Sequence, residues 1–466
     1  MRPIEVNPNV ANFVKSLRDI GYTFEVAVAD IIDNSISAGA NNIKIYAVQN
    51  PKPLFCVLDN GLGMNNDELI EAMRLSSKNP DDERDNAALG KFGLGLKTAS
   101  FSQCKKLTVV TKKNNDISAK QWDLDYISRN DKWLLLTPDL SEYKNIDIFN
   151  NFYENNNSTI IIWEEIDKVG QISEYLETLR NHLSLVFHQF LEGIGGEKIK
   201  IYINNNLLLP FNPFNPTHDA TFIKSTELIK YNDKEIKITP FILPHHSKVS
   251  VSEWEKYGGS EGYIKSQGFY LYRAHRLLVY GKWWGILKSS DATKLVRIKI
   301  EISNDQDELW NIDVKKSIAN PIPGLKDELK RVALHSVKDG MKPFSTRGRR
   351  INDKNITRFW NLVYEDNKLY FAINKENPMY QKLLDLLDLK SREILQMYLK
   401  SLQAYIPLEA IQAQVQQNPH SFKQEDAISN QEAVKILKYL QSIGLSEDEI
   451  KKIEIFKKHK ELFDGK

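Results

Sequence analysis

The first residues whose spacing suits a catalytic site lie on a helix predicted over Thr23 to Ala38. Asp30 and Asn34 are four residues apart, so their side chains lie on one face of that helix, with Asp33 next to them. A carboxylate can orient or deprotonate water, and a carboxamide oxygen is a hard ligand that suits Mg²⁺. The alternative is an ordinary exposed polar stripe, since another face of the helix is apolar and suited to packing on a sheet.

A second polar group follows a strand predicted over Leu54 to Leu58. Asp59 comes at the end of that strand, and the glycines Gly61 and Gly63 come directly afterwards. Glycine lets the backbone approach a ligand closely, and an ionised Asp, which only accepts hydrogen bonds, can bind an exocyclic amino group such as that of adenine. A plain Asn-Gly turn between two elements explains the same residues without a ligand.

A glycine-rich segment, Gly90 to Ser100, leads directly into the apolar start of a helix. Backbone N–H groups at the N-terminus of a helix bind anions, and Lys97 would add positive charge there. A dinucleotide-binding loop would need a strand in front of it, whereas a polar stretch precedes these glycines. The segment therefore predicts an anion site and does not by itself define the anion.

The order and spacing of these segments resemble the GHKL superfamily of ATPases, the Bergerat fold of DNA gyrase B, histidine kinases, heat-shock chaperones and MutL. The helix of Asp30 is similar to the first motif of that superfamily, Asp59 to Gly63 to the second, and Gly90 to Lys97 to the third. Ser158 to Trp163 is similar to the fourth, in which a Thr opens a strand near the adenine. The four motifs extend over about a third of the chain.

The resemblance implies a Mg²⁺- and ATP-binding site. Asp30 would activate water, Asn34 would bind Mg²⁺ and Asp59 would bind adenine. The polar residues 76–88 would form a mobile lid over the nucleotide. The residues implied to contact the nucleotide, besides Asn34 and Asp59, are Gly61, Gly63, Met64, Lys91, Phe92, Gly93, Leu94, Gly95, Lys97 and Thr159.

Two residues depart from the pattern of the superfamily. Its dimerising ATPases usually have Glu where this chain has Asp30, and Asp is one methylene shorter. We therefore expect slow hydrolysis or an adjusted position of the attacking water. The fourth motif has Ser158 where Gly is usual, which weakens the transfer of a role to Thr159.

A second, strand-rich region adds a candidate lysine. Gly268 to Leu278 pairs two predicted strands around a polar turn and is similar to a segment of MORC and MutL proteins. Trp310 to Lys316 resembles the transducer loop that brings a lysine to the γ-phosphate, and Lys315 and Lys316 are both candidates. In a strand, alternation would place these two lysines on opposite faces. Two solvated lysines are the alternative.

The resemblance, together with the elements that must position these residues, implies an α+β protein with three domains. The expected parts are a Bergerat-type α/β sandwich ATPase domain (residues 1–170), a transducer α/β domain (171–340) and a small α-rich C-terminal domain (341–466). We expect a surface loop over the asparagine-rich segment Asn145 to Asn157. Single helices are predicted over Ile172 to Glu192, Tyr380 to Leu402 and Gln431 to Lys460.

The composition of the chain limits the cellular compartment and the binding partners that we expect for it. The 466 residues include 63 Lys and Arg and 61 Asp and Glu, and 63 − 61 gives a formal charge of +2, which excludes a chain that is basic overall. The only two cysteines, Cys56 and Cys104, exclude a disulfide scaffold and a zinc ribbon and fit a reducing compartment. Without a signal-peptide core or an apolar stretch of about 20 residues, we expect a cytoplasmic protein with no membrane contact.

The combination is most similar to prokaryotic MORC-like ATPases. That resemblance implies a homodimeric clamp, closed by ATP binding and reopened by hydrolysis, that acts on DNA or a DNA-bound partner in defence or DNA maintenance, with an operon-encoded effector as a further partner. A chaperone-like ATPase and a non-hydrolysing ATP-binding scaffold are the alternatives. A basic loop over 341–350 can contact phosphates, or it is simply solvated, and its basic residues are Lys342, Arg347, Arg349 and Arg350.

Overall fold

A computed structural model describes most of the chain. The described residues are 3–4, 9–49, 52–75, 95–144, 146–167, 171–259, 262–313, 315–316, 318–340, 357–365, 368–417, 428–457 and 459–463. The chain divides into two compact units, of which the first comprises residues 1–244 and 255–339 and the second comprises residues 245–254 and 340–466.

The first unit contains, within the described residues, a seven-stranded sheet. Its strands are β1 (Asn42–Val48), β2 (Leu54–Asp59), β3 (Cys104–Lys113), β4 (Asp116–Asp123), β5 (Ser158–Ile166), β6 (Lys200–Ile203) and β7 (Asn206–Leu207). They follow the order β4-β3-β5-β2-β1-β6-β7, and all neighbours are antiparallel except the parallel pair β1 and β6. The register sets Asp59, the last residue of β2, opposite Thr159 near the start of β5.

Helices cover both faces of this sheet. They are α1 (Val10–Arg18), α2 (Phe24–Ser37), α3 (Asn66–Met73), α4 (Gly95–Gln103), α5 (Leu124–Asn130), α6 (Asp147–Glu154), α7 (Ile172–Val186) and α8 (His188–Glu192). The period-2 alternation of β2 divides its side chains between two cores, with Phe55 and Val57 in the cluster that includes α2, α4 and α7, and Cys56 and Leu58 in the cluster that includes α6. The arrangement is an α/β sandwich, in which α2 and α4 lie together on one face.

The prediction of a surface loop over the asparagine-rich segment was wrong, because α6 forms within it. Its apolar residues Ile148, Phe149 and Phe152 recur at helical spacing and are buried against Ile160 and Ile162 of β5. Burial of one apolar stripe outweighs the weak helix propensity of asparagine.

The predicted helix over 172–192 is interrupted. Phe187 leaves helical geometry with φ −107° and ψ 10°, ending α7 and preceding the short α8. Gly193 then ends α8 in the left-handed conformation, where glycine has no steric penalty.

A second sheet forms in the same unit. Its strands are β8 (Phe222–Ile223), β9 (Glu227–Tyr231), β10 (Lys234–Ile242), β11 (Gly268–Arg273), β12 (Arg276–Lys282) and β13 (Val296–Ile302). Helix α9 (Val251–Gly258) precedes β11, and α10 (Pro323–Gly340) follows β13 and buries Leu325, Leu329 and Val332 in the core of this sheet.

The second unit is mainly helical. A hairpin of β14 (Trp360–Glu365) and β15 (Lys368–Ile373) precedes α11 (Pro378–Leu386), α12 (Leu389–Ala404), α13 (Leu408–Gln417), α14 (Asn430–Ser442) and α15 (Glu447–Lys452). The single helices predicted over 380–402 and 431–460 are each divided here, the first by the Asp388 cap of α12 and the second at Gly444, which has a φ of +88°.

Candidate functional site

The site begins where β2 meets the end of α2. The carboxylate of Asp59 is buried at the end of β2. Ser35 of α2 donates its hydroxyl to Oδ2 at 2.7 Å, and the Gly61 N–H donates to Oδ1 at 2.9 Å. The backbone of Thr159 on β5 also donates to this carboxylate.

These three donors leave room for one more. An ionised carboxylate has about four lone-pair positions, so one acceptor position on Asp59 remains for a further donor. Burial raises the pKa of Asp59, although the hydrogen bonds from Ser35, Gly61 and Thr159 act in the opposite direction.

The two glycines after Asp59 are required by close backbone contacts. A Cβ on Gly61 would lie 2.9 Å from the Ala38 carbonyl oxygen and 3.0 Å from Oδ1 of Asp59. Gly63 has a φ of +65°, and a Cβ there would lie 2.0 Å from the Lys112 carbonyl oxygen of β3. A side chain at either position would force this loop away from β3 or from the end of α2.

The residue after this loop joins it to the central strands. The Met64 N–H donates to Oγ1 of Thr111 at 2.8 Å, and Thr111 lies 3.3 Å from Oγ1 of Thr159. Met64 and Thr159, both predicted to contact the nucleotide, are thus connected to Asp59 through β3 and β5.

A second carboxylate, Asp30, lies on α2 one turn before Asn34. It is 3% exposed, and Tyr22 donates its hydroxyl to Oδ2 at 2.9 Å. Gly95, the first residue of α4, faces the same oxygen, since a Cβ on Gly95 would lie 3.7 Å from Oδ2. The start of α4 and the Asp30 carboxylate are therefore adjacent.

A lysine from the second sheet region completes this cluster. Lys316 Nζ lies 3.2 Å from Oδ1 of Asp30 and 2.7 Å from Oδ2 of Asp33. Arg276 of β12 donates Nε to Oδ1 of Asp33 at 3.0 Å. Lys315, in contrast, donates Nζ to the Gly21 carbonyl at 3.3 Å.

The two lysines do not lie in a strand, so the expected alternation between faces does not apply. The described residues around them form a turn, in which the Lys316 N–H donates to the Asp313 carbonyl at 3.1 Å. Lys316 itself has a φ of +54°, which directs consecutive side chains to different partners without strand geometry.

The four charges of this cluster balance, and the two carboxylates differ. Burial alone would raise the pKa of Asp33, but Lys316 and Arg276 outweigh it and lower that pKa. Burial and the Asp33 charge raise the pKa of Asp30 against the attraction of Lys316. Burial and Arg276 lower the pKa of His182 to about 3, so this nearby side chain is neutral. Asp30 is thus the carboxylate of the pair that more readily accepts a proton.

The position of Asn34 suits a cation that keeps most of its water ligands better than a cation that is coordinated entirely by protein groups. Its side chain is exposed on α2, next to the cluster, and offers one neutral oxygen. Mg²⁺ usually keeps several waters and takes few protein ligands in phosphate-binding sites, so a single carboxamide fits this ion. Within the described residues, no group of three or more His, Cys, Asp or Glu side chains has the geometry of a metal site.

Several predicted site residues lie elsewhere or outside the described residues. Lys97 is buried on α4, and its Nζ donates to the Ala72 carbonyl at 2.9 Å. The predicted lid over 76–88 lies outside the described residues. The same holds for Lys91, Phe92, Gly93 and Leu94, and for the basic residues Lys342, Arg347, Arg349 and Arg350.

The β11–β12 hairpin brings Arg276 to this site. Ala274 and His275 at its tip both have positive φ, as a tight two-residue hairpin turn requires. His275 Nδ1 lies 2.9 Å from Oε1 of Gln189 on α8, and the Tyr272 hydroxyl lies 2.7 Å from Nε2 of His188. The hairpin is therefore anchored to α8 by polar contacts on both sides of its turn.

The sequence interpretation missed Tyr22, Ser35, Asp33 and Arg276 as parts of the site. Ser35 interrupts an otherwise apolar stripe of α2, which is a usable signal, because a polar residue on a buried face needs a partner. Arg276 lies in the segment that was predicted as two strands around a polar turn, and its partner Asp33 is 243 residues away, so no local pattern connects them.

The fold and the site together define a class of protein, an α/β sandwich with two paired carboxylates, Asp30 and Asp33, on one of its helices. In a comparison with known protein families, residues 22–159 match the model described as "Histidine kinase-, DNA gyrase B-, and HSP90-like ATPase". The chain therefore carries a GHKL-type ATPase domain, and the expected fold class of a Bergerat-type sandwich followed by further domains is confirmed.

The relatives match only a part of this chain. ATPase MORC2B of Mus musculus is 33% identical over 96 residues, which are 20% of this chain and 9% of the relative. A MutL protein homolog 1 of Schizosaccharomyces pombe is 35% identical over 105 residues, 22% of this chain and 15% of the relative. Chaperone protein HtpG of Rickettsia rickettsii (strain Sheila Smith) is 33% identical over 104 residues, 20% of this chain and 17% of the relative. The matched region is thus less than a fifth of each of these relatives.

None of the helices in the described part of the chain combines the length and the apolar composition that crossing a bilayer requires.

Proposed function

We propose that this protein is a Mg-ATP-dependent ATPase whose nucleotide cycle closes and opens a homodimeric clamp. The observation that carries the ATPase proposal is the contact between Lys316, whose side chain is 11% exposed, and the buried Asp30, which lies 286 positions away in the sequence. A lysine brought from the second sheet region to the carboxylate on α2 is the arrangement that phosphoryl transfer needs.

The proposed reaction assigns one task to each group. Asp59 accepts a hydrogen bond from the exocyclic amino group of adenine, and the Asn34 oxygen holds the cation. Mg²⁺, when bound, neutralises charge on the phosphates. Asp30 accepts a proton from the attacking water as the new P–O bond forms and the bond to the β–γ bridging oxygen breaks. A raised Asp30 pKa makes this carboxylate a better base than an exposed Asp.

Lys316, rather than Lys315, is the lysine that we assign to the γ-phosphate. Its ammonium group is already at the site, where it neutralises Asp30 and Asp33. A bound γ-phosphate would compete with the two carboxylates for this ammonium group. When the ammonium group moves from Asp30 to the phosphate, Asp30 is free to act as the base. Arg276 would stay on Asp33 and keep that carboxylate neutralised.

The clamp and its target are supported by resemblance only. The similarity to MORC-like proteins supports nucleotide-dependent dimerisation, and a basic loop containing Lys342, Arg347, Arg349 and Arg350 suits contact with DNA phosphates. A role in prokaryotic defence, an operon-encoded effector and a cytoplasmic location belong to the same proposal.

An Asp30→Asn variant tests the ATPase and the clamp together. We expect it to bind Mg-ATP with nearly unchanged affinity and to lose turnover by roughly 10²-fold or more, because a general base contributes that much. We also expect it to accumulate in Mg-ATP at twice the mass of the single chain, measured by light scattering. Asp116→Asn, on the exposed start of β4, is the matched control.

Each outcome has a separate meaning. Full turnover in Asp30→Asn would remove this residue from the mechanism. Nucleotide binding without turnover in the unmodified protein would favour the ATP-binding scaffold. Lost turnover with an unchanged mass would contradict the clamp and leave the ATPase assignment intact.

The similarity to chaperone HtpG favours one second candidate, a client-remodelling ATPase. Turnover stimulated by DNA, with stimulation that decreases as salt increases, would support the clamp on DNA. Turnover stimulated by an unfolded protein and unaffected by DNA would support the chaperone.

A further inference from the structure

We propose that Tyr22 is a positioning residue that holds the Asp30 carboxylate in the orientation needed to accept a proton from water. This inference rests on the proposed ATPase function. It adds to the site a residue that lies before the helix of the first motif and that shares no spacing pattern with Asp30.

Tyr22 is fixed at both of its polar groups. Its hydroxyl donates to Oδ2 of Asp30 at 2.9 Å and also hydrogen-bonds the side chain of Thr98 on α4. Its carbonyl accepts a hydrogen bond from Nε2 of Gln103 at 3.2 Å. The ring is buried, so α4 holds Tyr22 in place from two directions.

The two oxygens of Asp30 have partners of different kinds. Lys316 pairs with Oδ1 from a turn, whereas Tyr22 binds Oδ2 from within the ATPase sheet region. If the Lys316 ammonium group moves from Asp30 to the γ-phosphate, Tyr22 remains as the partner that limits rotation of the Asp30 carboxylate. The terminal torsion of an Asp is broad, so a carboxylate without such a partner would sample unproductive orientations.

The charges around this pair keep Tyr22 a donor. Burial and the Asp30 charge raise the pKa of Tyr22, so the hydroxyl remains protonated at neutral pH. The hydrogen bond in turn favours the ionised form of Asp30. The charged and titratable groups that face the pair are Asp33, Arg276, Asp313 and Lys316.

The test is the pH dependence of ATP turnover in Tyr22→Phe. We expect kcat to fall roughly ten-fold while KM for Mg-ATP is nearly unchanged, because orientation of the base and not nucleotide binding is lost. We also expect the acid limb of the kcat profile to move to higher pH. Loss of a hydrogen bond to the ionised carboxylate raises the pKa of Asp30, and the base is then protonated at a higher pH.

Tyr143→Phe is the matched control. Tyr143 donates to Oε2 of Glu164 at 2.7 Å, so this variant removes a Tyr–carboxylate hydrogen bond of the same kind from the opposite face of the same sheet. It is expected to change neither kcat nor the pH profile. Thr98→Val removes the second partner of the Tyr22 hydroxyl, and we expect it to lower kcat and shift the acid limb in the same direction by a smaller amount. This variant replaces Tyr22→Phe in the test if Tyr22→Phe does not fold.

The outcomes separate this inference from the proposed function. Unchanged kcat and an unchanged acid limb in Tyr22→Phe, with turnover lost in Asp30→Asn, would overturn the positioning role and leave the ATPase intact. No turnover in the unmodified protein, or full turnover in Asp30→Asn, would overturn the proposed function and the positioning role with it.

Geometry provides a rescue experiment. The Tyr22 hydroxyl occupies space that a carboxylate one methylene longer would enter, so Asp30→Glu alone is expected to lower kcat. Adding Tyr22→Phe to Asp30→Glu is expected to raise kcat again. In the protein that keeps Asp30, the same Tyr22→Phe change is expected to lower kcat. Equal effects of Tyr22→Phe in both backgrounds would contradict direct contact between the two side chains.

Discussion

At the scale of single residues, two carboxylates one helical turn apart have different roles because their surroundings differ. Asp33 has two cations within hydrogen-bonding distance, and it anchors them to α2. Asp30 shares one of those cations and otherwise contacts the neutral hydroxyl of Tyr22. The first arrangement lowers the pKa of Asp33 and the second allows the pKa of Asp30 to rise, which supports the proposal that Asp30 is the base of the pair.

At the proposed adenine position, Asp59→Asn is expected to weaken Mg-ATP binding by about 10- to 100-fold. This fold-change corresponds to the free energy that a hydrogen bond to a charged group contributes. Asn replaces one acceptor oxygen by an NH₂ that faces the donors from Ser35 and Gly61. Titration calorimetry with a non-hydrolysable analogue measures this, with Asp116→Asn as the control. Equal affinity in Asp59→Asn would contradict the adenine assignment.

The same residue predicts a pH dependence. Burial raises the pKa of Asp59, so its acceptor form is lost at a higher pH than for an exposed Asp. ATP affinity should therefore decrease as pH falls toward that pKa, and Asp59→Asn should remove most of this decrease. A variant with the pH dependence of the unmodified protein would assign the dependence to another group.

Residue types and spacing predicted Asp30, Asn34 and Asp59 as site residues because all three lie in local motifs. The ion partners of the cluster could not be predicted in this way. Arg276 reaches Asp33 through the docking of a hairpin on α8, which depends on tertiary contacts that no local period contains. Tyr22 lies before α2, eight residues from Asp30, and its hydroxyl bonds both that carboxylate and the Thr98 side chain of α4, a tertiary contact that no local pattern indicates.

At the scale of elements, alternation and apolar periodicity predicted the central strands and α2, whereas composition misled for α6. The asparagines of that segment indicate a loop, but its apolar residues complete a core on the far face of the sheet. The divisions at Phe187, Asp388 and Gly444 were also missed, because a helix break within a periodic sequence is set by packing and caps.

This core gives an element-scale prediction. Phe149→Ala is expected to destabilise the first unit by about 3–5 kcal/mol, because Phe149 is fully buried between α6 and the sheet. Asn150→Ala, next to it on the exposed side of α6, is the matched control and should change stability by no more than about 0.5 kcal/mol. Urea denaturation measures both. Equal midpoints for the two variants would show that α6 contributes no core.

At the scale of the first unit, the site is assembled from two sheet regions that are distant in sequence. The ATPase motifs supply Asp30, Asn34 and Asp59, and the second region supplies Arg276 and Lys316. In the proposed cycle, nucleotide binding and the contact between the regions are linked, because a γ-phosphate that attracts Lys316 weakens the pairing of Lys316 with Asp30.

The measurement that tests this proposal most directly is the rate of phosphate release from Mg-ATP by Lys316→Ala beside Lys315→Ala. Both variants remove one lysine from the same turn, and the Lys315 ammonium group contacts only a backbone carbonyl among the described residues. We predict a loss of roughly 10²-fold or more for Lys316→Ala and a much smaller change for Lys315→Ala, because the proposal assigns only Lys316 to the charge on the transferred phosphoryl group. Equal rates in the two variants, or a larger loss in Lys315→Ala, would contradict a site that is shared between the two sheet regions through Lys316.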